Sequence, residues 1–533
     1  MTCLAMMSAC RDFESDRLVE QSVGDCYINI AIAVSGGNTH TRADEPKGGE
    51  DGDGREAGFE RENTVTGITL ILYQDDAGIN TTAAPVPVLK LVRYFPVTLG
   101  HRETPNTEYA TKTDEAYYTT GVQPLGANIL NFGATYHAIV IANAPEVAAS
   151  LTEGVSTLSD VRKFPLSTIY AGDPTKPASD CTNFAMSSEQ DNIINFGSVT
   201  ATNLDGTPHS KGQDRLFDLT GQTLVIERMA ARIDFSTKYS TGDKVKYDET
   251  TYNRAGYVYR VWNAADEAAN TAPSNAEDAN RDHFVVVSIT PFNVSDGNTY
   301  LIKRIADDGK TPSDASNVTS TFAKRTEAYV PRYLDGETTT SWVLDSYSSA
   351  AKKAEAYPSH IKGRLDAYKT QTSLASSPYN LELKKEWHDV ASNYFDLDGN
   401  ETFIVSYPKE NTVDSDSPLY YYATGVAIEG IYYTKGTTTV GTPKVYYGFL
   451  RHQGESDAAY DAFKLEGKDA AETTSLITAA KAMKCNASKA MNFGVVRNNI
   501  YRISIDRITE QGTLELKIKV KKWDPYIHEY IYM

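Results

Sequence analysis

Tryptophan, histidine and cysteine are all scarce in this chain of 533 residues, which has four Trp, nine His and five Cys. The His are scattered, with no HExxH, no pair at helical spacing and no Cys beside them, so zinc-hydrolase and thiol-enzyme chemistry have no residues to run on. Cys3, Cys10, Cys26, Cys181 and Cys485 fit neither a zinc ribbon nor a CxxC redox pair. Basic residues are in deficit: 52 Lys and Arg against 70 Asp and Glu give a formal charge of −18. Such a chain has no general attraction to nucleic acid or anionic lipid. There is no run of eighteen apolar residues, and so no segment that reads as a membrane-crossing helix. Asp396–Glu401 hints at a calcium loop, but its Gly comes too early for the EF-hand spacing and a type I turn explains it better. Trp262, Trp342 and Trp387 could line a sugar platform, yet dispersed Trp are more often core. The expectation is a protein that is not an enzyme and uses no metal or cofactor.

What the chain has in abundance is tyrosine, 34 residues, together with Thr and Asn, a composition suited to half-exposed β-strands. Ile68–Tyr73 and Tyr136–Ala142 are continuous apolar runs closed by turn residues and read as central strands. Leu224–Phe235 alternates loosely around Glu227, Arg228 and Arg232. The polar stretch Ser236–Thr251 after it is the best boundary between two β-domains, at 57–240 and 241–525. Phe284–Ile289 opens the second, and a hairpin of Asn499–Ile508 with Leu514–Val520 closes it. Helical patches are few, Ser348–Tyr368 and Ala458–Lys484. The fold class expected is therefore mainly β, two β-domains in series with short helical insertions.

The first sixty residues carry the strongest signal. In Tyr27–Val34 the aliphatic residues Ile28, Ile30, Ile32 and Val34 alternate with small or polar ones, the period of a strand with one buried face. Burying them is worth roughly 6–12 kcal/mol gross, at about 1.5–3 kcal/mol per side chain. Residues 43–56 follow as an acidic, Gly-rich spacer too polar to pack. Between strand and spacer lies Arg42-Ala43, a protease-accessible site, with Arg55 and Arg61 as nearby alternatives. Met7-Ser8-Ala9-Cys10 resembles the end of a bacterial lipoprotein signal, with Cys10 as the lipidated residue and Leu4–Met7 as a short apolar segment. No basic region precedes it, and an ordinary N-terminal Cys is the alternative. A cut after Arg42 would leave Cys181 and Cys485 in the mature chain. Residues 1–42 are thus a signal remnant and a removable first strand.

Several blocks then fall in a telling order: Asn143-Ala144-Pro145 after an apolar strand, Phe184–Ser187, Glu227-Arg228-Met229-Ala230-Ala231-Arg232, Tyr446–His452, and Gly494-Val495-Val496-Arg497-Asn498-Asn499-Ile500-Tyr501-Arg502 before a strand ending at Trp523. With them the chain, from about Cys10 to Trp523, resembles the fimbrillin family, the subunits of the type V pili of Bacteroidales. The resemblance implies two transthyretin-like β-sandwich domains in series and export as an outer-membrane lipoprotein anchored by lipid. It also implies cleavage after an Arg by an arginine-specific protease, and assembly with copies of itself and accessory fimbrial subunits into an adhesive fimbria on the cell surface. In such assembly the first strand leaves and a donor strand from another subunit fills its groove. Asp12, Glu14 and Asp16 are compatible with the acidic stretch that directs surface display in such lipoproteins.

Two segments are candidate donors. The tail Tyr526–Met533 spans about 26 Å when extended, as Tyr27–Val34 does. It places Ile527, Ile531 and Met533 on one face, with Glu529 among them, and Tyr526, His528, Tyr530 and Tyr532 on the other. Leu514–Val520 alternates more cleanly but is needed as the hairpin partner of Asn499–Ile508, so the tail is preferred. An anchor or tip subunit, and a surface glycan-binding lipoprotein, remain as alternatives. A removable first strand distinguishes the fimbrial reading from the glycan-binding one.

Overall fold

The computed structural model describes residues 25–34 and, with short internal breaks, 55–237, 257–306, 393–411, 424–450 and 495–524, besides short strands at 318–319, 343–344, 381–382 and 465–466. Among the described residues the protein is mainly β, with short helices only. In chain order the first half supplies β1 (Cys26–Val34), β2 (Arg55–Ala57), β3 (Gly67–Tyr73), β4 (Leu89–Pro96), β5 (Thr98–Pro105), β6 (Lys112–Thr119) and β7 (Gln123–Gly126). It continues with β8 (Thr135–Ala142), β9 (Pro165–Leu166), β10 (Met186–Ser188), β11 (Asn192–Asn195) and β12 (Arg215–Arg228). All but β2 and β9 join a ten-stranded sheet in the order β4-β3-β8-β10-β12-β1-β6-β5, with β11 also on β8 and β7 also on β1.

The apolar runs behave as their composition requires. Every residue of β3 is buried, and β3 lies between β4 and β8, so a strand with no polar face is covered on both. In β8 the run Ala138–Ala142 is likewise buried, and its turn residue Asn143 takes the left-handed conformation at φ 56 that Asn tolerates. The helix Pro145–Ser150 starts there with Pro at its first turn, where the missing N–H costs nothing.

The chain passes from this first sheet to a second within Met229–Ala231, ahead of the polar Ser236–Thr251, because β13 (Arg232–Ser236) pairs in parallel with Asn499–Ile508. The second sheet has the order β2, Thr513–Asp524, Asn499–Ile508, β13, Glu401–Ser406, Asn393–Phe395. The expected closing hairpin is present, running from Asn499 opposite Lys522 to Ile508 opposite Leu514. A third sheet, Tyr257–Arg260, His283–Phe292, Gly425–Tyr433 and Thr442–Phe449, shares one core with the second, where Tyr257 and Phe403 meet edge to face at 5.2 Å.

Two local expectations change. Arg55 and Glu56, read as the end of the spacer, form β2 with Ala57 and pair in parallel with Lys522–Asp524. Such pairing uses backbone groups, so the polarity of the side chains is no bar to it. Leu465–Glu466, inside a stretch read as helical, is a strand beside Thr513-Leu514. The edge of the second sheet overrides its Ala- and Lys-rich surroundings. The other helical patch, Ser348–Tyr368, lies outside the described residues, as does the rest of Ala458–Lys484.

Candidate functional site

The candidate site is β1 and the slot that holds it. The strand is interior, not an edge: it runs parallel to β12 on one side and antiparallel to β6 and β7 on the other. Ile28, Ile30 and Ile32 are completely buried and Val34 is 8% exposed, all within the core of the first sheet. Alternation from a single apolar face therefore does what the sequence predicts, and Cys26 extends the same row. On the opposite face Tyr27, Asn29 and Ala33 are half-buried, while Ala31 is buried.

Both walls of the slot are shaped around the middle of β1. Along β12 the register jumps from Leu219, opposite Ile30, to Leu224, opposite Ile32, so β12 arches outward beside Ala31. Asp218 holds the start of the arch by accepting from the Thr220 N–H at 3.0 Å and the Thr220 hydroxyl at 2.7 Å. Across the slot the Ile30 N–H donates to Thr120 Oγ1 at 3.1 Å, and the Thr120 N–H donates to the Ile30 carbonyl at 3.1 Å. The Thr119 hydroxyl donates to Asn29 Oδ1 at 2.9 Å. Because β1 stands between β12 and the pair β6 and β7, it stitches β5, β6 and β7 to the rest of the sheet.

The sequence-predicted residues fall unevenly. Ile28, Ile30, Ile32 and Val34 come together in the slot, but Cys10, Arg42, Ala43, Tyr526, Ile527, Ile531 and Met533 lie outside the described residues. Arg55 sits in β2, and the Arg61 guanidinium lies over the Phe59 ring at 4.5 Å. Of the three Trp weighed as a platform, Trp262 is 4% exposed with Arg507 stacked 5.5 Å from its ring, a core position; Trp342 and Trp387 lie outside the described residues. Leu514–Val520 belongs to the strand Thr513–Asp524, with Leu514 and Ile518 in the second core.

A polar joint beneath the slot was not anticipated. The one-turn helix Glu60–Asn63 brings Glu62, completely buried, to the place where β12 ends and β13 begins. Arg232 donates to Glu62 Oε2 at 3.1 Å and through Nε to Asp234 Oδ1 at 2.9 Å. Arg228 donates to the Glu62 carbonyl at 3.0 Å, to Asn498 Oδ1 at 3.0 Å and to Asn63. Tyr407 donates its hydroxyl to Glu62; burial, then the Glu62 charge, holds that hydroxyl well above the usual phenol range and keeps it a donor. Asn498, in the left-handed conformation at φ 60, gives its N–H to the Ala230 carbonyl at 2.8 Å. Its neighbour Arg497 is buried against Glu410 at 3.1 Å and the Leu301 carbonyl at 3.1 Å. The two sequence blocks Glu227–Arg232 and Gly494–Arg502 thus meet across the passage between sheets. Two Arg spaced by small apolar residues were the legible signal; Glu62, in a polar stretch, had none.

No family model matches the sequence, and no curated protein shows a significant match. Solved structures do match. The structures it is similar to include fimbrial proteins and putative cell adhesion proteins of Bacteroidales, and one described as a putative polysaccharide binding protein from Bacteroides thetaiotaomicron, 9% identical over 93% of this chain and 98% of that one at a TM-score of 0.24. A fimbrilin from Porphyromonas gingivalis is 11% identical, covering 96% of this chain and 100% of that one at a TM-score of 0.37. The tip fimbrial protein Mfa3 of the same organism, with a C-terminal truncation, is 11% identical over 94% and 100% at a TM-score of 0.35. A fimbrial assembly protein from Parabacteroides distasonis is 9% identical over 94% and 96% at a TM-score of 0.25. The arrangement is an interior strand with one apolar row, held between β12 on one side and β6 and β7 on the other.

Proposed function

We propose that this chain is a structural subunit of a cell-surface fimbria, exported as a lipoprotein on Cys10, cut after Arg42 and polymerised when a strand from another subunit replaces β1. The observation that carries the reading is the position of β1. It is the first element among the described residues, it fills an interior slot with four aliphatic side chains, and it precedes the polar residues around Arg42-Ala43. While the chain is intact, β1 competes for its slot at high effective concentration and blocks exchange; a cut removes that advantage. The empty slot then presents apolar surface and two rows of unpaired backbone groups, the state that strand addition relieves.

The joint supports Arg42 over its two neighbours as the place of the cut. Arg55 is engaged in β2, and Arg61 belongs to the helix that carries Glu62. Cleavage after either would strip backbone from the second sheet or tear the buried Glu62 network. Cleavage after Arg42 leaves both intact. Digestion of the intact chain with an Arg-specific protease, followed by N-terminal sequencing, is expected to give a resistant core beginning at Ala43. A resistant core beginning at Glu56 or Glu62, or no resistant core, would contradict the proposal.

A further inference from the structure

We propose that the strand replacing β1 has the pattern of β1 itself, with an alanine-sized residue between two aliphatic ones, and that residues 526–533 do not fill this slot. The inference rests on the reading that β1 is released and replaced. Its basis is Ala31, which is 1% exposed although it points away from the row Ile28, Ile30, Ile32 and Val34. It pairs with Thr119 on β6, and the β12 register skips past it from Leu219 to Leu224. Neither wall gives way easily. Asp218 pins the β12 arch at Thr220. On the other side Thr119 Oγ1 accepts from the Gly121 N–H at 3.1 Å, and the Thr120 hydroxyl donates to the Gly121 carbonyl at 2.9 Å, in a turn where Gly121 takes φ 61. A large side chain in place of Ala31 would overpack a closed site.

The tail sequence fails this requirement in every register and in both directions, because alternation is symmetric. If Ile527, Glu529, Ile531 and Met533 face the core, the place of Ala31 falls to Tyr526, His528, Tyr530 or Tyr532. If the aromatic face turns inward, that place falls to Ile527, Glu529, Ile531 or Met533. None is small, and the first arrangement also buries the Glu529 charge. Leu514–Val520 fails too: it alternates its aliphatics with Glu515, Lys517 and Lys519 and is already paired along Asn499–Ile508. The slot asks for the pattern of β1 itself, aliphatic, any residue, aliphatic, small, aliphatic, any residue, aliphatic.

The test uses the full-length chain nicked after Arg42, with β1 still seated. Three fluorescently labelled peptides are offered for exchange: residues 26–34 with Cys26→Ser, the same peptide with Ala31→Tyr added, and residues 526–533. The first is expected to enter the slot and raise the melting temperature. The Ala31→Tyr peptide is expected to bind at least about tenfold more weakly, and the tail peptide to give no exchange above a scrambled control. Binding of the tail or the Ala31→Tyr peptide within threefold of the first would overturn the inference while leaving strand replacement intact. Failure of the first peptide itself to exchange would overturn both. An SDS-stable ladder of the nicked chain that disappears when residues 526–533 are deleted would also overturn the inference.

Discussion

Glu62 shows how much one buried charge can hold. Its carboxylate takes the Arg232 guanidinium and the Tyr407 hydroxyl, so loss of the side chain leaves a buried cation and a buried hydroxyl short of an acceptor, while Arg228 keeps the backbone carbonyl. Removing one partner of such a pair costs about 3–5 kcal/mol. Glu62→Ala should therefore lower unfolding stability in urea by about that amount, with Glu62→Gln, which keeps an acceptor for Tyr407, in between. A change below about 1 kcal/mol for Glu62→Ala would mean the joint is not formed. The rim pair Arg93 and Glu153, at 2.6 Å but with side chains 41% and 30% exposed, is different. Burial works against the Glu153 carboxylate, yet hydrogen bonds from Arg93 and the Val92 N–H, with the Arg93 charge, hold its pKa below the usual range. A depressed carboxylate stabilises the fold above its unfolded pKa and loses that effect as pH falls through the folded one. Because solvent screens the pair, Glu153→Gln should cost no more than about 1 kcal/mol at neutral pH and nothing in acid, as pH-dependent melting will show. In the slot, Ile30→Asp with Ile32→Asp would place two charges where both side chains are now fully buried, and the uncut chain should melt at a markedly lower temperature. An unchanged melting curve would mean that β1 is not seated.

At the scale of elements, β1 is the strand through which β5, β6 and β7 reach the rest of the first sheet. Release of β1 should loosen those three strands while the second and third sheets, which share their own core, keep their protection. Hydrogen exchange measured on nicked protein after β1 has been displaced should quicken in 98–126 and remain slow in 499–508. Equal loss of protection in both regions would contradict the topology. Much of this arrangement was legible. The unbroken apolar runs of β3 and β8, the period-two pattern of β1 and the terminal hairpin each carry their burial in the order of their residues. What stayed hidden were features without a local apolar signature. β2 forms through backbone pairing that any side chains allow, and the polar joint depends on residues far apart in sequence, such as Glu62 with Tyr407 and Arg228 with Asn498. The parallel pairing of β1 with β12 was equally invisible, because alternation fixes which face is buried and not which strand lies alongside.

For the whole molecule, the first sheet carries β1, and the second and third share a separate core. The joint of Glu62, Arg228, Arg232, Asp234 and Asn498 fastens the first sheet to the second using only residues C-terminal to Arg42. Release of β1 would therefore change the first sheet without unfastening the second. The net charge of −18 makes copies of the chain repel one another, which opposes non-specific association. The most direct measurement is the N-terminal sequence of this chain recovered from SDS-resistant polymer on the surface of cells that produce it. The account predicts subunits that begin at Ala43 and lack β1. Polymer built of subunits that still begin at or before Cys10, with residues 26–34 present, would contradict it.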